Sequence, residues 1–228
     1  MANPNIELLS GMAHAMGPLC EQVVFVGGCA TGLLISQPLV ADARATEDVD
    51  AIVEVASLVG YHALADQLMA RGFKQTMADN TPPFRWFWQG MQLDLVPLDE
   101  RVLGFANRWY RPGFEAAVLA TLPTGLVLRH LSAPYFVATK LEAFKDRGNN
   151  DVYLSHDLED IITVVDGRDE LLTELAAAPS EVRHFIAQHF QAVLEHTDFS
   201  NVLPGIVSQS TRAGLVLQRF SDIAKLSN

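Results

Sequence analysis

The chain alternates between short, nearly unbroken apolar runs and stretches with helical spacing. Ile6 to Met16 repeats its apolar residues at the spacing of a short helix. Gln22 to Val26, QVVFV, is an apolar strand that stops abruptly at Gly27-Gly28, and CATGLLIS suggests a helix packed behind that turn. VDAIVEV, Val49 to Val55, is a second strand rich in β-branched residues. Leu58 to Arg71 sets Leu64, Leu68 and Met69 near helical spacing, with Gly72 placed as its C-cap. FRWFWQG followed by MQLDLVPL reads as a hairpin turning at Gln89-Gly90, and GLVLRHLSA adds a last strand. From Pro134 onward the spacing predicts helices over 135–147, 155–165, 169–177, 180–196 and 206–225. Ser155 and Ser180 are placed as N-caps.

Strands come first and helices afterwards. That order predicts an α+β fold: a mixed, mainly antiparallel sheet with flanking helices over residues 1–132, then a helical domain over 133–228. A composition of 49% hydrophobic and 19% charged residues fits a globular chain. No apolar run is long enough to span a membrane, and MANPNIELLS lacks the features of a signal peptide. Cys20 and Cys29 have no metal-binding spacing and read as reduced thiols, so a cytoplasmic location without membrane partners is expected.

Charge changes the picture in one respect. A net charge of −11 argues against a broad nucleic-acid-binding surface. Residues 99–147 differ from the rest, with 7 Lys/Arg against 5 Asp/Glu: Arg101, Arg108, Arg111, Arg129, Lys140, Lys145 and Arg147 are the place where a polyanion would be welcome. The alternative is an ordinary solvated surface.

The candidate chemistry lies in TEDVDAIVEV. Asp48 and Asp50 stand two apart at the leading end of a strand, hence on one face, where two carboxylates repel. Asp94 lies inside the second arm of the hairpin and could complete a cluster of three. Such a cluster is unstable unless a divalent cation neutralises it, and hard oxygen ligands suit Mg²⁺ or Mn²⁺ bridged to substrate phosphates. Gly27 and Gly28 let backbone N–H groups approach a phosphate without side chains in the way. Trp86, Phe87 and Trp88 read as hairpin packing rather than a base-stacking platform.

FVGG, TEDVDAIVEV and LDLVPL, in that order, resemble the polymerase-β-type nucleotidyltransferase fold. Within that superfamily, RATEDVD at Arg44 to Asp50 and APYFVATKLEAFKDRGNNDVYLSHDLEDI make the chain most similar to the AbiEii-type nucleotidyltransferases of bacterial toxin–antitoxin systems. The resemblance covers residues 25–160. It implies a metal-dependent enzyme that moves an NMP from an NTP to an acceptor hydroxyl, on RNA (a tRNA end) or protein, with an antitoxin as a further partner. It implies that Asp48, Asp50 and Asp94 are catalytic and bind Mg²⁺ or Mn²⁺, with Asp94 helping to activate the attacking hydroxyl. Gly27 and Gly28 would hold the triphosphate and Lys140 would contact it. Asp157 matches a further acid of the pattern. Arg44 either binds phosphate or pairs with Glu47 or an acid across the loop, and Thr31 or Thr46 could offer the hydroxyl that a serine after Gly-Gly would supply. Two other readings stand beside this one: transfer to a small, aminoglycoside-like molecule, which the acidic surface favours, and a non-catalytic nucleotide-binding or regulatory member of the fold.

Overall fold

The computed structural model describes residues 3–37, 43–76, 81–104, 106–146, 148 and 150–227. The fold is α+β. The strands are β1 (Val23–Val26), β2 (Asp48–Val53), β3 (Arg85–Trp88), β4 (Met91–Pro97), β5 (Val118–Thr121) and β6 (Val127–His130). Among the described residues they form one six-stranded sheet in the order β3-β4-β2-β1-β6-β5. Pairing is antiparallel for β1–β2, β3–β4 and β5–β6, and parallel for β2–β4 and β1–β6, so the sheet is mixed and mainly antiparallel.

The helices are α1 (Pro4–Met16), α2 (Thr31–Leu34), α3 (Leu58–Ala70), α4 (Glu100–Leu103), α5 (Tyr110–Glu115), α6 (Ala133–Asp146), α7 (His156–Gly167), α8 (Leu171–Ala177), α9 (Ser180–Glu195), α10 (Phe199–Ile206) and α11 (Ala213–Ala224). The chain divides into two compact units. One comprises Met1–Ala30 and Ala45–Leu131; the other comprises Thr31–Arg44 and Ser132–Asn228.

In the first unit the central strands are apolar because both faces are covered: all four residues of β1 are buried, as are Val49, Ala51, Ile52 and Val53 of β2. α1 packs on β2 and β4. The β3–β4 turn is the one expected, with Gln89 at φ 46° and Gly90 at φ 87°, both left-handed as a two-residue hairpin loop requires. α3 ends in a Schellman arrangement: Gly72 N–H donates to the Met69 carbonyl, and Phe73 N–H to that of Leu68. Trp86 is buried, in keeping with hairpin packing.

The second unit buries an aromatic cluster in which Phe220 of α11 lies 4.5 Å from Phe190 of α9 and 4.9 Å from Phe199 of α10, ring centre to ring centre. Thr31–Arg44 joins this unit for a legible reason. Ser36 and Gln37 both donate backbone N–H groups to the Gly167 carbonyl at the end of α7, and the Arg168 guanidinium donates to the Leu34 carbonyl at 2.9 Å. Arg219 closes the same end, donating to the carbonyls of Val165 and Asp166. Among the described residues no helix is long and apolar enough to cross a membrane.

Two expectations need correcting, and one strand was not foreseen. The helix expected over 206–225 is shorter: α11 spans Ala213–Ala224, because Val207 is extended and Ser208 to Ser210 are polar, and Ile206 instead ends α10, which was not expected. Ser180 is the first residue of α9, not its cap: Pro179 stands there with no side-chain cap bond, whereas Ser155 does cap α7, accepting from Leu158 N–H at 3.2 Å. Strand β5 carries too short an apolar run to announce itself and exists as the partner of β6 across the Leu122–Leu126 turn.

Two buried acids set the alkaline limit of the first unit. Burial pushes the Cys20 thiol from 9.0 up to about 11. Burial, with the Asp94 charge adding and a bond from Trp86 opposing, pushes Tyr61 from 10.0 up to about 12; its hydroxyl donates to the Leu95 carbonyl at 3.1 Å. Both pKa values are raised in the fold, so the stabilisation is fully present below the unfolded values. It is lost as pH rises, between 9.0 and about 11 for Cys20 and between 10.0 and about 12 for Tyr61. Urea midpoints measured from pH 8 to 11 are expected to fall, and to fall less steeply in Cys20→Ala; an unchanged slope in that variant would contradict the assignment.

Candidate metal centre

Sheet register builds the site. In the antiparallel pair β1–β2, Val26 stands opposite Asp50, which brings Gly27, the next residue, against the Asp50 side chain. In the parallel pair β2–β4, Asp50 stands beside Asp94 and Asp48 beside Gln92. Period-two alternation puts Asp48 and Asp50 on one face, and the pairing puts Asp94 on that same face. As a result, one carboxylate oxygen from each of Asp48, Asp50 and Asp94 lies within 4.8 Å of the other two. Asp94 is buried; Asp48 and Asp50 are half-buried.

Two local devices hold the acids in place. Thr46 Oγ1 donates to Asp48 Oδ1 at 2.6 Å, and Thr46 N–H donates to Oδ1 of the fully buried Asn5 at 3.0 Å, which fixes the loop leading into β2. On the other side of the cluster, Arg85 of β3 stands opposite Asp94 and grips it with both arms: Nε donates to Oδ1 at 2.8 Å and Nη2 to Oδ2 at 2.7 Å. The bond to Asp94 raises the arginine's own pKa beyond its ordinary value, and the Asp48 and Asp50 charges add to the effect.

Three carboxylates and one guanidinium leave two negative charges. A donor set of hard carboxylate oxygens with that charge suits a divalent cation such as Mg²⁺ or Mn²⁺. The shape agrees. Gly27 has φ 71°, and a Cβ built there would collide with Asp50 Oδ2, so the backbone reaches the cluster closely only because this residue has no side chain. Gly28 follows, buried in the tight turn in which Ala30 N–H donates to the Gly27 carbonyl.

The remaining sequence-derived residues lie in the second unit. Lys140 of α6 is buried, with Nζ 3.0 Å from Asp157 Oδ1 and 2.6 Å from Asp160 Oδ2, both on α7. Burial alone would lower its pKa, but the Asp160 and Asp157 charges and hydrogen bonds outweigh it and the net shift is upward. This ammonium holds two helices together. Arg44 lies 3.6 Å from Glu159, the pairing with an acid across the loop that was one of its two readings. Thr31 is fully buried, with a hydroxyl that meets no hydrogen-bond partner among the described residues.

Several cations of the basic stretch over 99–147 are engaged within the protein. Arg101 pairs with Asp99, Arg111 with Glu54 at 2.8 Å, Arg129 donates to the Phe114 carbonyl, and Lys140 is buried in the other unit. Arg147 lies outside the described residues. The residue that sequence reasoning missed is Arg85, although the signal was present. A two-residue loop at Gln89-Gly90 pairs Trp88 with Met91, and counting back three places puts Arg85 opposite Asp94.

Two substitutions test these packing arguments. Gly27→Ala is expected to destabilise the first unit by about 1–3 kcal/mol, since it strains a left-handed backbone and displaces Asp50; a urea midpoint equal to wild type would refute the close approach. Lys140→Met leaves two buried carboxylates without their cation and is expected to cost about 3–5 kcal/mol, read as a large drop in thermal midpoint. Compared with protein-family models and with curated proteins, the chain matches none, so the geometry of this centre carries the functional reading.

Proposed function

We propose that this protein is a metal-dependent nucleotidyltransferase, moving an NMP from an NTP to an acceptor hydroxyl. The observation that carries the reading is the convergence of Asp48, Asp50 and Asp94 from two neighbouring strands beside the side-chain-free Gly27. The resemblance of FVGG, TEDVDAIVEV and LDLVPL to polymerase-β-type enzymes supports it. Asp48, Asp50 and Asp94 would hold Mg²⁺ or Mn²⁺, which when bound neutralises charge on the attacking and leaving oxygens of an in-line displacement. Thr46 keeps Asp48 turned into the cluster. Gly27 and Gly28 leave room for the triphosphate. The acceptor oxygen bonds to the α-phosphorus, the bond to pyrophosphate breaks, and the hydroxyl proton passes to a carboxylate of the cluster, with Asp94 in that role. Positioning and electrostatics supply most of the rate.

The acceptor is RNA or protein on the resemblance to toxin enzymes, which also brings an antitoxin as partner. One observation favours a small hydroxylated acceptor instead: among the described residues, Arg101, Arg111, Arg129 and Lys140 of the basic stretch each have a partner within the protein.

Incubation with labelled NTPs and Mg²⁺, beside total RNA, cell extract and a panel of aminoglycosides, identifies the acceptor by what becomes labelled. Asp50→Asn keeps the shape and removes a charged ligand, so labelling is expected to fall at least about 10³-fold while the circular dichroism spectrum is unchanged. Full activity in that variant would rule out the assigned role.

A further inference from the structure

Arg85 occupies the most buried carboxylate of the cluster. Both oxygens of Asp94 accept from it, at 2.8 Å and 2.7 Å. It stands on β3, the outermost strand of its side of the sheet, and its side chain is 30% exposed against 8% for Asp94. The guanidinium therefore has a way out to solvent that the carboxylate lacks. It also has a second acceptor within reach: with the Gln92 amide oxygen turned toward it, Nε and Nη2 each lie 3.1 Å away. A carboxylate oxygen keeps a lone pair for a cation while accepting one hydrogen bond, but the positive charge remains beside it and opposes any cation that arrives.

We propose that Arg85 is the built-in counter-ion of the carboxylate cluster, and that it biases the centre against a bare divalent cation and toward one that arrives bound to a phosphate chain. The proposal rests on the metal-dependent reading above. Its logic is electrostatic. With Arg85 paired, Asp48, Asp50 and Asp94 are already one-third neutralised, so a naked Mg²⁺ or Mn²⁺ meets a weaker and partly occupied ligand set. A cation carrying polyphosphate brings negative charge that a guanidinium can take bidentately, so the same arginine that opposes the free ion favours the complex. Arg85 is thus a selectivity element: it opposes the free ion through Asp94 and meets the polyphosphate with its own guanidinium.

The test measures binding, not turnover. Mn²⁺ affinity is read from the free-ion electron paramagnetic resonance signal, first with Mn²⁺ alone and then with Mn²⁺ and inorganic tripolyphosphate. Arg85→Gln is expected to bind Mn²⁺ alone about tenfold more tightly and the tripolyphosphate complex about tenfold more weakly, because loss of one nearby unit charge acts with opposite sign on the two ligands. Arg85→Lys keeps the charge but loses the fork, so it is expected to stay near wild type for Mn²⁺ alone and to bind the tripolyphosphate complex more weakly than wild type. Changes in the same direction for both ligands, or no change in either, would overturn the proposal. Asp50→Asn separates it from the underlying reading: Mn²⁺ binding equal to wild type in that variant removes the metal centre itself, whereas lost binding there with an inert Arg85→Gln removes only the role of Arg85. Should Arg85→Gln fail to fold, the Arg85 Nε–H resonance of the wild-type protein, assigned by its loss in Arg85→Lys, replaces it. That resonance is expected to shift more with Mg²⁺ and tripolyphosphate together than with Mg²⁺ alone, and an unmoved resonance refutes the proposal.

Discussion

Parallel pairing of β2 with β4 is the constraint on which the site depends. It sets Asp50 beside Asp94 in the interior of the sheet, where two like charges on adjacent strands are unfavourable. Everything around the pair can be read as accommodation of that conflict. β1 ends in a residue with no side chain, giving Asp50 its space. The edge strand contributes a guanidinium, and the loop before β2 is pinned by Thr46 and the buried Asn5. The apolar residues that alternate with the acids, Val49 and Ala51 on β2 and Leu93 and Leu95 on β4, are buried on the other face, so a one-residue slip would exchange acid for core. Register and chemistry are therefore specified by the same pattern.

The second unit resolves a similar conflict differently. Lys140, Asp157 and Asp160 form a buried set of charges between two helices. One ammonium between two carboxylates leaves one negative charge in excess, against two in the first unit, and its surroundings are helix against helix. In the first unit, three carboxylates share one guanidinium and remain short of positive charge. This difference in balance distinguishes a charge cluster that completes a core from one that invites a ligand.

Much of this was legible in the sequence, for reasons that can be located. The α+β order, the hairpin at Gln89-Gly90, the termination of α3 at Gly72 and the Asp48–Asp50–Asp94 grouping all follow from local signals: period-two alternation, left-handed turn residues, and acids interrupting apolar strands. What escaped was set by tertiary partners. The short VLAT strand has no signal of its own, and α10, which packs Phe199 against Phe220, lies where no helix is expected. The sequence resemblance assigns Lys140 to the triphosphate; its pairing with two acids is not visible along the chain because they come from a different helix. The excursion of Thr31–Arg44 into the helical unit is likewise invisible until Gly167 is seen to accept from Ser36 and Gln37.

That excursion has a consequence for how the protein can be divided. The polypeptide passes from one unit to the other three times, at Ala30/Thr31, Arg44/Ala45 and Leu131/Ser132. No single cut yields two whole units. A fragment ending at Leu131 carries Ser36 and Gln37 without the Gly167 carbonyl they cap, and one starting at Ser132 leaves that helix end uncovered. The same connection joins β1 to β2, so the strand pair that brings Gly27 to Asp50 is tethered through a segment that belongs to the helices. Separately expressed halves would each inherit an unfinished surface.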